Sequence, residues 1–191
     1  MRVALLILLV FHSLIHLLGF LKAFNLLEVR ELTLPISKPF GILWLLSAVL
    51  MLAAAASIGF RVSYWWAIAL AATLISQFVI AYFWADAKYG TVVNLILLVA
   101  IVIGYATWQF EQQYIQDVKK GLERTQTMQE ELIGEEDIAH LPDLVQGHLR
   151  NFGALNKPRV HSVRATFRAE MRSKTQDWFP LSAQQHNFFD R

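Results

Sequence analysis

Apolar residues run almost unbroken through four stretches of the first 110 positions, 3–21, 40–60, 62–85 and 89–110, and fall into shorter periods only afterwards. A bilayer core takes about 20 apolar residues as a helix, because no water is available there to satisfy backbone N–H and C=O groups. Each stretch meets that requirement; the last three contain no charged residue, and the first carries only His12 and His16 as titratable groups. Tyr64, Trp65, Trp66, Tyr82, Trp84, Tyr89 and Trp108 lie near the ends of the stretches, at the headgroup level such side chains favour. Pro35 and Pro39 precede the second, where a proline in the first turn loses no needed donor, and Ser37 is placed to cap it. Short connections at Arg61 and at 86–88 force antiparallel neighbours, so an all-α four-helix membrane bundle is predicted. The first stretch does not read as a signal peptide, since no small-residue cleavage pattern follows it and three further spans do.

Behind the bundle the period changes twice. Ile115, Val118, Leu122, Met128 and Leu132 recur every three to four residues or at multiples of that spacing, predicting a helix over 111–133 that prolongs the fourth span. Gly121 weakens it, and Gly134 with the acidic run 135–137 ends it. The apolar stripe is too incomplete for a dimerising coiled coil, so a solvated connecting helix is the favoured reading, with 111–137 as a juxtamembrane helix and acidic linker. A module over 138–191 follows. Leu141-Pro142-Asp143 opens a short helix to about Phe152, closed by Gly153 in the left-handed conformation. Then Val163, Ala165, Phe167, Ala169 and Met171 alternate with Arg164, Thr166, Arg168, Glu170 and Arg172, a half-buried strand with a basic outer face. Trp178-Phe179-Pro180 is read as a turn, and Ser182 as the cap of a last helical piece holding Gln184, Gln185 and His186. The fold class expected is thus a four-helix membrane bundle followed by a small α+β segment with one or two strands.

Composition agrees with two solvents. Of 191 residues 55% are hydrophobic and 17% charged, against about 25% charged in soluble domains. Residues 1–110 hold six basic and three acidic side chains, 111–143 three and nine, and 144–191 eight and three. The overall charge of +2 gives no basis for nucleic-acid binding. With no cysteine, thiolate chemistry and disulfides are excluded. The side bearing both termini carries Arg2, Arg61, Lys119, Lys120 and Arg124, and the other Lys22, Arg30, Lys38 and Lys88. The positive-inside rule therefore leans, by one residue, to cytoplasmic termini in a bacterial inner membrane.

Polar side chains inside a bilayer are costly enough to mark candidate sites. At a rise of about 1.5 Å per residue, His12 lies roughly 14 Å from the termini side, His16 and Gln77 about 20 Å, and Asn94 at a similar level from the other end. They gather beneath a rim of Asp86 and Lys88 and are placed to share one cavity. His12 and His16, at i and i+4, project from one helix face. Bundle-stabilising hydrogen bonding is the favoured reading for this cluster. The alternatives are a proton-relay, quinone or haem site, or a metal site, for which a third ligand is lacking near the pair. No cofactor and no metal follow from these residues. Asp86 and Lys88 read as an interfacial ion pair. Arg164, Arg168 and Arg172 offer a contact for anionic lipid or a protein partner, although keeping an edge strand soluble is the favoured explanation. Asp and Glu within 111–143 are further candidates to pair with them.

The series Leu141-Pro142-Asp143-Leu144-Val145-Gln146, Leu149-Arg150, Gly153, Lys157-Pro158-Arg159-Val160, Val163-Arg164 and Trp178, Leu181, Ala183, Gln185, with Phe188 and Phe189 after it, resembles a bacterial family of uncharacterised proteins defined by a domain of unknown function. The resemblance covers 141–189. It implies a larger β-rich domain of which only the first strand or two are present before Arg191, and it supplies no activity or catalytic residues. By hydropathy and length alone, the membrane half is similar to small four-helix DoxX-type proteins. No G-x-S-x-G, P-loop or H-E-x-x-H occurs and no catalytic set is identified. The preferred reading is a membrane anchor presenting an envelope binding module, with a membrane redox or proton-handling protein using His12 and His16, or a small transporter, as alternatives.

Overall fold

The structure, a computed structural model, describes residues 2–189. The chain divides into two compact units, 1–112 and 113–191. Helices α1 (Arg2–Ala23), α2 (Lys38–Gly59), α3 (Trp65–Tyr82) and α5 (Gly90–Gln126) are each long and apolar enough to cross a membrane, which makes this a multi-pass membrane protein. A single turn, α4 (Trp84–Ala87), separates α3 from α5.

Small residues set the packing within the first unit. A Cβ added to Gly19 would strike the Trp44 indole, and one on Gly41 would strike the Ala23 methyl, so α1 and α2 approach closely along these positions. This is how helices associate in lipid, where van der Waals contact replaces the hydrophobic drive. Leu9, Met51, Ala54, Ala55, Ala69, Ala72, Leu97 and Ile101 form the buried core. The α1 and α2 termini close in the same way. Asn25 (φ 54°) and Arg61 (φ 59°) take left-handed conformations, and Leu26 and Val62 donate back to Leu21 and Ser57. Ser37 occupies the cap position of α2 with extended backbone, but its side chain makes no capping bond.

The third span is shorter than its apolar run. Residues 62–64 belong to the α2–α3 turn, and the helix stops at Phe83, whose backbone (φ −101°, ψ 39°) leaves the helical range. The Phe83 ring is buried against Phe40 and Trp44, at 5.3 and 6.2 Å between centroids, so aromatic packing fixes the break. The displaced turn α4 brings Asp86 to the α1–α2 loop.

In the second unit α5 ends at Gln126 rather than continuing to 133. Residues beyond it are drawn into extended pairing: Leu132 bridges Pro158, and Ile133 and Arg159 donate backbone bonds to Lys157 and Glu131. The acidic run starts a helix instead of ending one. Asp137 accepts from the Gly134 N–H at 2.9 Å at the head of α6 (Glu135–Ile138), a carboxylate where a helix N-terminus favours it. The next helix, α7 (Asp143–Asn151), closes with Gly153 at φ 68°, as its sequence predicts.

Strands β1 (Ser162–Met171) and β2 (Phe179–Phe188) form an antiparallel hairpin. The helical piece expected after Ser182 is therefore a strand. Its ten residues pair one for one with β1, and Pro180 is tolerated because β2 has a free edge. Nor is β1 half-buried. Its alternating face, with Val163, Phe167 and Met171 beside Phe179 and Leu181, stays exposed at 40–51%, because among the described residues nothing is laid over it. The opposite face meets α5 at one end, where the Phe188 ring fills the space left by Gly121 and His186 stands 6.3 Å from Tyr114.

Candidate functional site

His12 and His16 lie one turn apart on α1, both at most 3% exposed, with rings 4.8 Å apart and nearly perpendicular. Their Nε2 atoms face α3 and α5. His12 Nε2 is 3.1 Å from Asn94 Oδ1, and His16 Nε2 is 2.7 Å from Ser76 Oγ. Asn94 Nδ2 donates to Ser76 Oγ and to Gln77 Oε1, each at 3.0 Å, and Gln77 Nε2 donates to Thr91 Oγ1 at 3.2 Å. The four polar residues expected to share one depth therefore do meet, in a network drawn from three helices.

The network assigns the ring protons. Asn94 Oδ1 can only accept, so a neutral His12 carries its proton on Nε2 and leaves Nδ1 as an acceptor. The Ser76 hydroxyl lies closer to His16 Nε2 (2.7 Å) than to Asn94 Oδ1 (3.2 Å). Donation to His16 leaves that ring with Nδ1–H as a donor. Neither Nδ1 has a hydrogen-bond partner among the described residues, and neither does Trp44 Nε1, whose indole stands 4.9 Å from His16. All three atoms are buried, and an unpartnered buried polar group costs about 1–3 kcal/mol.

The three side chains line one cavity of about 290 Å³. Ile15, Leu18, Ile80 and Val93 supply apolar wall, and Gly90 leaves room for the Ile80 side chain, whose Cδ1 would lie 2.7 Å from an added Cβ. Glu31 and Asp86 are its acidic residues. Gln77, Asn94 and Lys88 are not among its lining residues; Asn94 holds His12 from behind, and Gln77 holds Asn94. Nor do Asp86 and Lys88 pair. Asp86 accepts from the Thr33 hydroxyl at 2.6 Å and the Leu34 N–H at 2.8 Å, and these bonds hold its carboxyl below the usual range. Lys88 lies over the Tyr89 ring at 5.4 Å. The α1–α2 loop is thereby tethered beside the cavity, with Val29 buried and Leu32 O accepting from Lys22.

Among the described residues no three His, Asp or Glu side chains gather as metal ligands. In the second unit Arg150 pairs with Glu135 at 2.7 Å, and Arg159 pairs with Asp137 and Glu131. The acidic segment thus engages these two arginines and, among the described residues, not Arg164, Arg168 or Arg172; Arg172 instead stacks on Trp178 at 5.1 Å.

Residues 131–191 match the model of a family of unknown function, DUF6544. The match spans α6, α7 and the hairpin, the stretch whose motifs resemble an uncharacterised family, and leaves the membrane helices unassigned. No curated protein and no solved structure matches the chain. Ser76, Trp44 and Glu31 escape a reading of the sequence. Serine and tryptophan are ordinary in apolar runs, and Glu31 reaches the cavity only through the fold of the α1–α2 loop.

Proposed function

We propose that the four-helix unit binds a small amphiphilic molecule with a carbonyl or hydroxyl head, of the quinone and quinol class, and that His12 and His16 exchange hydrogen bonds and protons with it. The observation that carries this reading is that three side chains of one cavity each keep an unpartnered buried atom: an acceptor at His12 Nδ1, a donor at His16 Nδ1 and a donor at Trp44 Nε1. A quinone oxygen accepts from the two donors, and a quinol hydroxyl donates to the acceptor, so both forms find partners. The apolar wall suits the ring and tail, and the volume is near the lower bound of about 300 Å³ for ligand pockets. Solvent extraction of detergent-purified protein, followed by redox difference spectroscopy of the extract, tests it. A quinone recovered near one per chain, and lost from His16→Leu, is expected; its absence from both proteins argues against the reading.

The anchor reading has its own support in the uncovered apolar sheet face around Phe167 and Leu181, a surface of the kind that marks protein or lipid contact. It predicts that Phe167→Ser, and not His16→Leu, abolishes rescue of a deletion phenotype.

A further inference from the structure

A second cavity of about 480 Å³ lies in the membrane unit at the level of the chain's N-terminus. On α1 it is lined by Arg2 and Leu5, on α5 by residues between Ala100 and Glu111, and it includes Arg61 of the α2–α3 turn and Trp65 at the start of α3. The two cavities share no lining residue.

We propose that this cavity binds the phosphate headgroup of an anionic phospholipid, with an acyl chain along its apolar wall. The two arginines carry the argument. Arg2 donates to Ile58 O and Gly59 O, both from one terminal nitrogen, which caps the carbonyl end of α2 and fixes the guanidinium in place. Its remaining N–H groups are uncommitted, in the planar fork that matches a phosphate bidentately. Arg61 has no hydrogen bond or ion pair from its side chain among the described residues, and it occupies the left-handed position (φ 59°) of a helix-ending motif in which glycine is the usual residue. A non-glycine residue there is strained, and the conformation places a cation at the cavity.

The surroundings select a lipid over a free anion. Trp65 and Trp108 line the cavity, and Trp66 and Tyr105 pack beside Trp108 at 5.4 and 6.1 Å, the aromatic signature of a headgroup region. Leu5, Ala100 and Ile103 extend an apolar wall from the arginines, and Gly104 leaves room that the Trp65 ring enters. An inorganic phosphate would leave that wall uncovered. Glu111 also lines the cavity, so the local charge is one positive unit from two arginines and one carboxylate. That balance favours a singly anionic headgroup. Basic pockets between membrane helices are a recurrent way of holding such lipids.

Native mass spectrometry of the full chain in detergent, with equal amounts of phosphatidylglycerol and phosphatidylcholine of the same acyl chains, tests this. Preferential retention of phosphatidylglycerol is expected, reduced about fivefold by Arg61→Gln and similarly by Arg2→Gln, the weight of one basic residue near an anionic surface. Arg61 is exposed, so its substitution leaves folding intact. Ala100→Phe, which fills the apolar wall and spares both arginines, is expected to lower retention of both lipids. Equal retention of the two lipids by the unaltered chain would overturn the proposal, as would an unchanged preference in the double Arg2→Gln/Arg61→Gln variant. Displacement by millimolar inorganic phosphate would assign a free-anion site instead, and loss of preference in Arg164→Gln would move the contact to the strand arginines; either result overturns it.

Discussion

Asn94 is the residue on which the membrane network turns, because it accepts from His12 and donates to Ser76 and Gln77. Interhelical hydrogen bonds in membranes average about 0.6 kcal/mol and reach about 1.7. Asn94→Ala should therefore cost about 1–2 kcal/mol in reversible unfolding from mixed micelles. Thr107→Ala should cost almost nothing, since that hydroxyl bonds only to Ile103 O of its own helix. Equal effects would show that the network holds no helix together. Asp86 carries a second prediction at this scale. Its carboxyl is held low by Thr33 and Leu34, so the loop tether is fully present above the ordinary carboxyl value of 3.8 and is lost as pH falls through the depressed one. Hydrogen exchange in 26–36, corrected for intrinsic rate, should stay slow from pH 7 to 5 and rise a few-fold below pH 3.8, as it should at pH 7 in Asp86→Asn. Slow exchange in that variant would mean that the loop is held elsewhere. His12, His16, Gln77 and Asn94 were legible in the sequence because each is costly in lipid. Ser76 was not, since a serine satisfies itself on its own helix and gives no sign of acting as the junction between two histidines.

At the scale of elements, what was legible followed from length and period. Four apolar runs became four helices because lipid permits little else, and Gly153 ended α7 because the left-handed position there favours it. The errors lie where tertiary pairing overrides local preference. Ser182 through His186 reads locally as a capped helix, yet ten cross-strand partners make it β2. Gly121 reads as a weak point in a helix, yet its missing side chain seats Phe188. These two accounts of Gly121 predict opposite signs. Helix propensity alone gives about 1 kcal/mol of added stability for Gly121→Ala. The packed ring gives a loss of about 1–3 kcal/mol from overpacking. Limited proteolysis of the full chain at 172–178 should accelerate in Gly121→Ala; protection would restore the propensity account.

For the whole molecule, the sequence distinguishes the two solvents by charge and hydropathy, and the fold adds what hydropathy cannot express, namely where helices stand apart. In the membrane unit α1 and α2 close on glycine and alanine, whereas two cavities, one with a histidine pair and one with an arginine pair, open between α1 and α5. The central claim concerns the first of them. Its most direct measurement is a fluorescence titration of the detergent-purified chain with a short-chain benzoquinone, which quenches the Trp44 indole when bound beside His16. Saturable quenching is expected in the unaltered protein, weakened up to about tenfold in His16→Leu, in line with the ~0.5–1.5 kcal/mol of a neutral hydrogen bond. Linear, unsaturating quenching that is the same in both proteins would contradict the account.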